Sequence, residues 1–389
     1  VKQFSKIAID KLNIWRETMK YPRPKFNDPS VKIENKLPAF GITRVDVPIF
    51  DLPITPRENF RRAAALNKPM WAPCSLTDFQ SIMAQDVVYR EGDDSIFIHT
   101  DFRDHRNAKQ DYEFIDWFNT NWTWVSEAGG AMLTPGTMLL EDIATWEKDL
   151  KWPDLKQWDF KSKAEDYMKN EYNPGRVMHY DIGRGCTERF ISLVGGYTEG
   201  MIALAEEPEA VKAWMERYAE WEIELFDTIN ALYPLDMVTY HDDWGTERDT
   251  FFSAKMMEEL IFEPSKKIID HIRSKDVKFE LHTCGNITRF MPYILDLDVD
   301  FLQLQFRAVD LPDLKAKYGD KVGFCSPIDG YEPGLPREKV LQLVRDSVDT
   351  YAPKGGAYFS VASADPEERW DMLAELYMYS REFYEKENG

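Results

Sequence analysis

From about residue 175 to the end, apolar and polar positions follow a repeating two-part rhythm. Short, largely apolar runs occupy residues 177–182, 236–240, 277–282, 299–304, 321–325 and 355–361. Each has the length of a strand, and its apolar character predicts burial in a sheet. Between the runs the apolar spacing changes to three and four. Val340, Leu341, Val344 and Val348 form such a stripe, as expected of a helix lying on a sheet. Strand then helix, repeated through short connections, predicts a parallel sheet with helices outside. A strand at residues 68–74 and another within residues 122–132 bring the count to about eight. That predicts an α/β fold, a (β/α)8 TIM barrel, rather than an open doubly wound sheet. No Gly-x-Gly-x-x-Gly turn follows an early strand, which argues against a dinucleotide-binding fold.

Before the rhythm sets in, the chain divides differently. Residues 1–54 are irregular and Pro-containing and predict an N-terminal wrap, with the barrel over residues 55–389. Thr55-Pro56-Arg57-Glu58 carries an N-cap, a proline at the first helical position and a Glu placed for a capping box. Residues 75–170 are mixed and rich in aromatics, including Trp117, Trp122, Trp124, Trp146, Trp152 and Trp158. They predict an elaborated region over the barrel mouth. Tryptophans in such a place are mostly packing, although they would also suit a planar guest.

Composition narrows the partners. A formal net charge of −20 argues against a nucleic-acid groove, which needs clustered Lys and Arg. There is no apolar run of membrane-spanning length, and Val1-Lys2-Gln3-Phe4-Ser5-Lys6 is not followed by a signal-peptide core. A cytoplasmic location is the expectation. The four cysteines are too scattered for a disulfide framework. Cys74 and Cys186 read as small buried hydrophobes.

In a barrel of this class the chemistry gathers at the C-terminal ends of the strands. Those ends carry His241-Asp242-Asp243-Trp244-Gly245-Thr246-Glu247, then His282-Thr283-Cys284-Gly285-Asn286, then Cys325-Ser326-Pro327. His282 and Cys284 are two apart on an extended segment, so an imidazole nitrogen and a thiolate can reach one ion. That donor pair suits zinc. Gly285 lets the chain turn at once. His241, Cys325, Glu247 or an Asp can supply a third donor. Of the adjacent carboxylates Asp242 and Asp243, one can face the site, and either can position a proton, with His241 beside them. Asp181, Arg184 and Trp244 are candidates for holding a substrate.

At these residues the chain resembles the uroporphyrinogen decarboxylase superfamily, and within it the zinc- and corrinoid-dependent methyltransferases. The likeness lies in Pro56-Arg57-Glu58-Asn59-Phe60, Lys68-Pro69-Met70-Trp71, Thr187-Glu188-Arg189-Phe190, Asp242-Asp243-Trp244-Gly245 and Phe279-Glu280-Leu281-His282-Thr283-Cys284-Gly285-Asn286. It spans roughly residues 55 to 385. It implies a barrel whose zinc, on His282 and Cys284, activates a methyl donor or acceptor. The methyl group passes to or from the cobalt of a cobalamin carried by a separate corrinoid protein. Related enzymes place a Glu where this chain has Gln305, which becomes a further substrate-binding candidate. The cysteine expected after the last strand is replaced by Phe359-Ser360-Val361. The decarboxylase's own arginine-rich N-terminal signature is replaced by Cys74-Ser75-Leu76-Thr77-Asp78, so haem synthesis is discounted. The expected reaction is O-demethylation of a small methylated donor, a methoxylated aromatic being favoured. The alternatives are a methylcobalamin:thiol methyltransferase and a metal-independent decarboxylase. A homodimer is compatible with either.

Overall fold

A computed structural model of the chain describes residues 20–36, 44–83, 111–127 and 130–389. Twelve strands are present among them. The first two, β1 (Lys32–Lys36) and β2 (Val45–Ile49), pair antiparallel within the expected N-terminal wrap. This part of the chain lies along the last helix, to whose Glu382 Arg23 pairs at 2.7 Å.

The main sheet has seven parallel strands. They are β3 (Phe79–Met83), β7 (Val177–Ile182), β8 (Met237–His241), β9 (Lys278–Thr283), β10 (Phe301–Leu304), β11 (Gly323–Ser326) and β12 (Ala357–Phe359), neighbours in that order. The two edges curl towards each other. Phe79 of β3 and Tyr358 of β12 stand at opposite ends of the sheet, yet their rings are 5.0 Å apart. Phe60 packs between them, 5.1 Å from Phe79 and 5.6 Å from Phe301. Cys74 makes a parallel bridge to Phe359, so the chain entering β3 also touches the far edge. The fold is TIM-like, as the alternation predicts.

Two strand expectations are corrected in detail. Residues 68–74 contribute that bridge at Cys74 and are otherwise irregular, being interrupted by Pro69 and Pro73. The strand sought within residues 122–132 does exist but lies outside the barrel sheet. There β4 (Tyr112–Ile115), β5 (Asn121–Val125) and β6 (Gly130–Leu133) form a separate antiparallel sheet. The alternation of Trp122 and Trp124, both buried, reports strand geometry but cannot say which sheet the strand joins.

The helices follow the sequence signals. In α1 (Pro56–Ala64) Thr55 Oγ1 accepts from the Glu58 amide at 3.2 Å, while the Glu58 carboxylate takes up Arg62. Next come α2 (Cys186–Leu193), α3 (Tyr197–Glu206), α4 (Pro208–Asn230), α5 (Phe262–Arg273), α6 (Leu311–Tyr318), α7 (Arg337–Tyr351) and α8 (Pro366–Asn388). Asp310 and Asp365 cap α6 and α8 by accepting from the Asp313 and Glu368 amides. Among the described residues no helix is long and apolar enough to cross a membrane.

The aromatic-rich region packs against α4. Trp117 and Trp158 meet at 4.5 Å, and Trp152 stacks on Trp214 at 6.2 Å. The loop between β4 and β5 is organised by Asp116, which accepts from the Phe118 and Thr120 amides and from Trp122 Nε1. The same carboxylate pairs with Arg189 of α2. Just before α2, the Arg184 guanidinium lies 3.6 Å from the Trp122 ring centre. The small sheet is thereby fastened beside the C-terminal end of β7.

Candidate functional site

Residues two apart on a strand share a face, so the inward positions can be read off β7, β8 and β9. At the floor, Val177, Met237 and Phe301 pack with Phe60, Phe79, Cys325 and Tyr358. Above it the interior turns polar. Ser81 Oγ lies 2.9 Å from His179 Nδ1, and His179 Nε2 lies 2.7 Å from Thr239 Oγ1. Thr239 then donates to Glu280 Oε2 at 2.7 Å, and the Tyr358 hydroxyl donates to the same carboxylate at 2.8 Å. Gln303 Nε2 donates to Glu280 at 3.3 Å, while Gln303 Oε1 lies 2.7 Å from His282 Nδ1. Burial pushes the Glu280 carboxyl up to about 7.

His282 is the top of that chain and the start of the site. Its Nε2 is 3.5 Å from Cys284 Sγ and 3.9 Å from Asp243 Oδ1. One donor atom each from Asp243, His282 and Cys284 lies within 4.8 Å of the others. The third donor follows from register. His241 is paired with His282 between β8 and β9, and two residues further on Asp243 comes opposite Cys284. The Asp243 carboxylate accepts from the Cys284 amide at 2.7 Å, which locks the two loops together. Gly285 has φ +86°, and a Cβ there would stand 2.1 Å from the Gly245 carbonyl carbon. A glycine is required at this crossing.

The donor set fits a cation. Ligand bonds of about 2.0–2.3 Å around a tetrahedral zinc separate the donors by about 3.3–3.6 Å, against 3.5 Å and 3.9 Å from His282 Nε2 to Cys284 Sγ and Asp243 Oδ1 here. Nitrogen, sulfur and carboxylate oxygen are all zinc ligands, and three from the protein leave a fourth position open. Burial, with His241 beside it, lowers the pKa of His282, so the ring is neutral near pH 7 and offers a lone pair. Burial, then the Asp243 carboxylate, pushes the Cys284 thiol up to about 12. A cation in this position displaces that proton.

Residues 190–362, which include all three donors, match the family model of uroporphyrinogen decarboxylase (URO-D). No curated protein sequence matches the chain significantly. Among solved structures it is similar to a methyltransferase from Methanosarcina mazei, with a TM-score of 0.56 and 12% identity, covering 85% of this chain and 99% of that one. A GH18 chitinase from Flavobacterium johnsoniae gives a TM-score of 0.32 at 13% identity, covering 56% of this chain and 80% of that one. A xylose isomerase-like TIM barrel protein from Mycobacterium smegmatis gives 0.31 at 12%, covering 57% and 78%. The first likeness concerns the fold, and the other two are too slight to bear on it.

Around these three donors the remaining candidates sort by environment. Asp242 is fully buried and faces away from Asp243, accepting from the Glu188 amide and Trp244 Nε1, each at 2.9 Å. It anchors the start of α2, where burial pushes its carboxyl up to about 6. Trp244 is likewise buried and serves as that partner. Asp181 holds His241 Nε2 at 2.9 Å, and the His241 ring is 4.3 Å from that of His282. Burial opposes the charged imidazole, but Asp181 outweighs it and His241 has a raised pKa. Gln305 Oε1 accepts from the Gly285 amide at 2.8 Å. Cys325 lies in the floor cluster and Glu247 is exposed, so neither joins the donor group.

Four residues at or below the site were not singled out from sequence. Glu280 and Gln303 were legible in principle, because Glu280 is two before His282 on one face and Gln303 is its neighbour in register. Glu188 had no such signal. It sits in the first turn of α2, 3.6 Å from Arg184, and burial, partly opposed by Arg184, pushes its carboxyl up to about 8. Tyr197 lies in the field of Glu188 and Asp243, and its ring is 4.6 Å from that of Phe251.

Proposed function

We propose that the chain is a methyltransferase that moves a methyl group between a small methylated donor and the cobalt of a separate corrinoid protein. Zinc would be held by Asp243, His282 and Cys284. The observation that carries the reading is the convergence of those three donors at the C-terminal end of β8 and β9. The structural likeness to a methyltransferase over 85% of the chain supports it. When bound, zinc supplies a Lewis acid for the charge that develops on the atom losing its methyl group.

The chain's own residues do the rest. His282 at the end of β9 and Cys284 just beyond it face the open position, and Asp243 steadies the Cys284 loop through the amide. Asp242 is committed to α2, so the acid that serves a departing oxygen is Glu188. With its carboxyl raised to about 8 it is largely protonated at neutral pH and can give that proton up. Most of the tryptophans near the mouth are occupied in packing, so recognition of an aromatic donor falls to Tyr197 and Phe251. A methoxylated aromatic remains the favoured donor.

The test is methyl transfer to cobalt(I) cobalamin, followed by its absorption spectrum, with methoxylated aromatics as donors. The reverse reaction is run with methylcobalamin and thiols. Demethylation that depends on added zinc and is lost in His282→Ala supports the proposal. Methylation of thiols alone reverses the direction. Full activity of metal-free protein on a carboxylated substrate contradicts it.

A further inference from the structure

We infer that Gln303 is a positioning residue for the metal site, fixing the orientation and tautomer of His282 from inside the barrel. The inference rests on reading Asp243, His282 and Cys284 as metal ligands. It goes further by assigning a role to the polar chain beneath them.

The directions of the hydrogen bonds follow from the chemistry of each group. Glu280 receives the Tyr358 hydroxyl at 2.8 Å and the Thr239 hydroxyl at 2.7 Å. With Glu280 ionised and acceptor-only, the Gln303 atom facing that carboxylate, at 3.3 Å, is the amide nitrogen. With Nε2 turned to Glu280, Oε1 is the atom turned to His282, 2.7 Å from Nδ1. A carbonyl oxygen only accepts, so Nδ1 carries the hydrogen and the lone pair is on Nε2. Nε2 is the atom that faces Cys284 at 3.5 Å and Asp243 at 3.9 Å. A second bond from Gln303 Nε2 to the Tyr358 hydroxyl, at 3.4 Å, holds the amide from the side.

The support does not end at Glu280. Because Thr239 gives its hydrogen to Glu280, it accepts from His179 Nε2 at 2.7 Å, and His179 Nδ1 accepts from Ser81 at 2.9 Å. The chain thus crosses from β3 through β7, β8 and β9 to β10 with a consistent donor and acceptor at every link. A ligand imidazole oriented by a partner on its far nitrogen binds metal more tightly than a free one. Here the partner is a neutral amide, itself oriented by a carboxylate one step deeper.

The test compares wild type, Gln303→Met, the exchange Glu280→Gln/Gln303→Glu, and His282→Ala. Each is titrated with cobalt(II), read by its ligand-field and thiolate charge-transfer bands, and with zinc against a chromophoric chelator. Gln303→Met keeps the length of the side chain without the acceptor, and its metal affinity should fall about 10- to 100-fold, with altered cobalt bands. The exchange variant keeps an acceptor facing Nδ1 and a donor–acceptor pair behind it. It should bind within a few-fold of wild type with a wild-type spectrum. Wild-type affinity and spectrum in Gln303→Met, with both lost in His282→Ala, overturns the role of Gln303 alone. So does an exchange variant that folds, by its circular dichroism, but binds no better than Gln303→Met. Metal binding unchanged in His282→Ala overturns the metal site itself, and this inference with it.

Discussion

Asp242 and Asp243 are adjacent in sequence and separate in task. The first is fully buried under α2, with its oxygens taken by the Glu188 amide and the Trp244 indole, while the second faces His282 and Cys284. Asp242→Asn should therefore lower stability by about 1–3 kcal/mol, because a charge-assisted buried acceptor is weakened and one donor is left mismatched. Asp243→Asn should leave the unfolding midpoint within a degree or two and weaken zinc binding by an order of magnitude or more. Paired denaturation and metal-titration curves check this, and the reverse pattern would reassign the two carboxylates. The alternation of side chains along an extended segment was enough to foresee that one of them faces the site. Which one was not legible, because that depends on the pairing of His241 with His282. The strand order keeps Cys325 out of the donor group. Gln303 and its strand stand between it and His282, and it packs in the floor.

At the scale of elements, the strands after residue 175 were legible because a sheet covered by helices leaves long apolar runs. β3 was not. A short helical turn, Ser75–Asp78, separates it from the preceding segment, and its inward face carries Ser81 for the polar chain, so its pattern is not apolar. Two element-level predictions follow from packing. Gly285→Ala places a methyl group against the Gly245 backbone at a positive φ, so the β9 loop must move. Its expected effect is loss of metal binding with retention of the barrel's circular dichroism, and unimpaired binding would contradict the crossing described here.

Glu222 of α4 offers the second. It is 1% exposed, accepts from the Tyr218 hydroxyl at 2.9 Å, and burial pushes its carboxyl from 4.5 up to about 7. Its folded pKa lies above the unfolded one, so its contribution to stability is complete below about pH 4.5 and is lost as pH rises through about 7. Glu222→Gln removes that dependence. The fall in unfolding free energy between pH 5 and pH 8 should shrink by on the order of 2–3 kcal/mol relative to wild type in urea denaturation. An unchanged difference would show that Glu222 is ionised in the fold.

For the whole molecule, the barrel and its helical shell were written in the alternation of periods, and the small sheet's separateness was not. Alternating tryptophans show a strand but carry no information about its partners. What joins that sheet to the barrel is chemistry at the start of α2. Asp116 takes Arg189, and Arg184 lies on Trp122. Arg189→Met strands the Asp116 carboxylate in the interior, a change that costs about 3–5 kcal/mol for buried pairs. Hydrogen exchange should then quicken over residues 111–127 more than over β8 and β9. Uniform quickening would mean that the small sheet and the barrel open as one unit.

A single cation shared by Asp243, His282 and Cys284 is the core of the proposed chemistry, and elemental analysis of purified protein tests it most directly. Wild-type chain, loaded with zinc and then desalted, should retain close to one equivalent, and His282→Ala should retain almost none. Wild-type protein that takes up no zinc, or a His282→Ala variant that keeps it, would contradict the account.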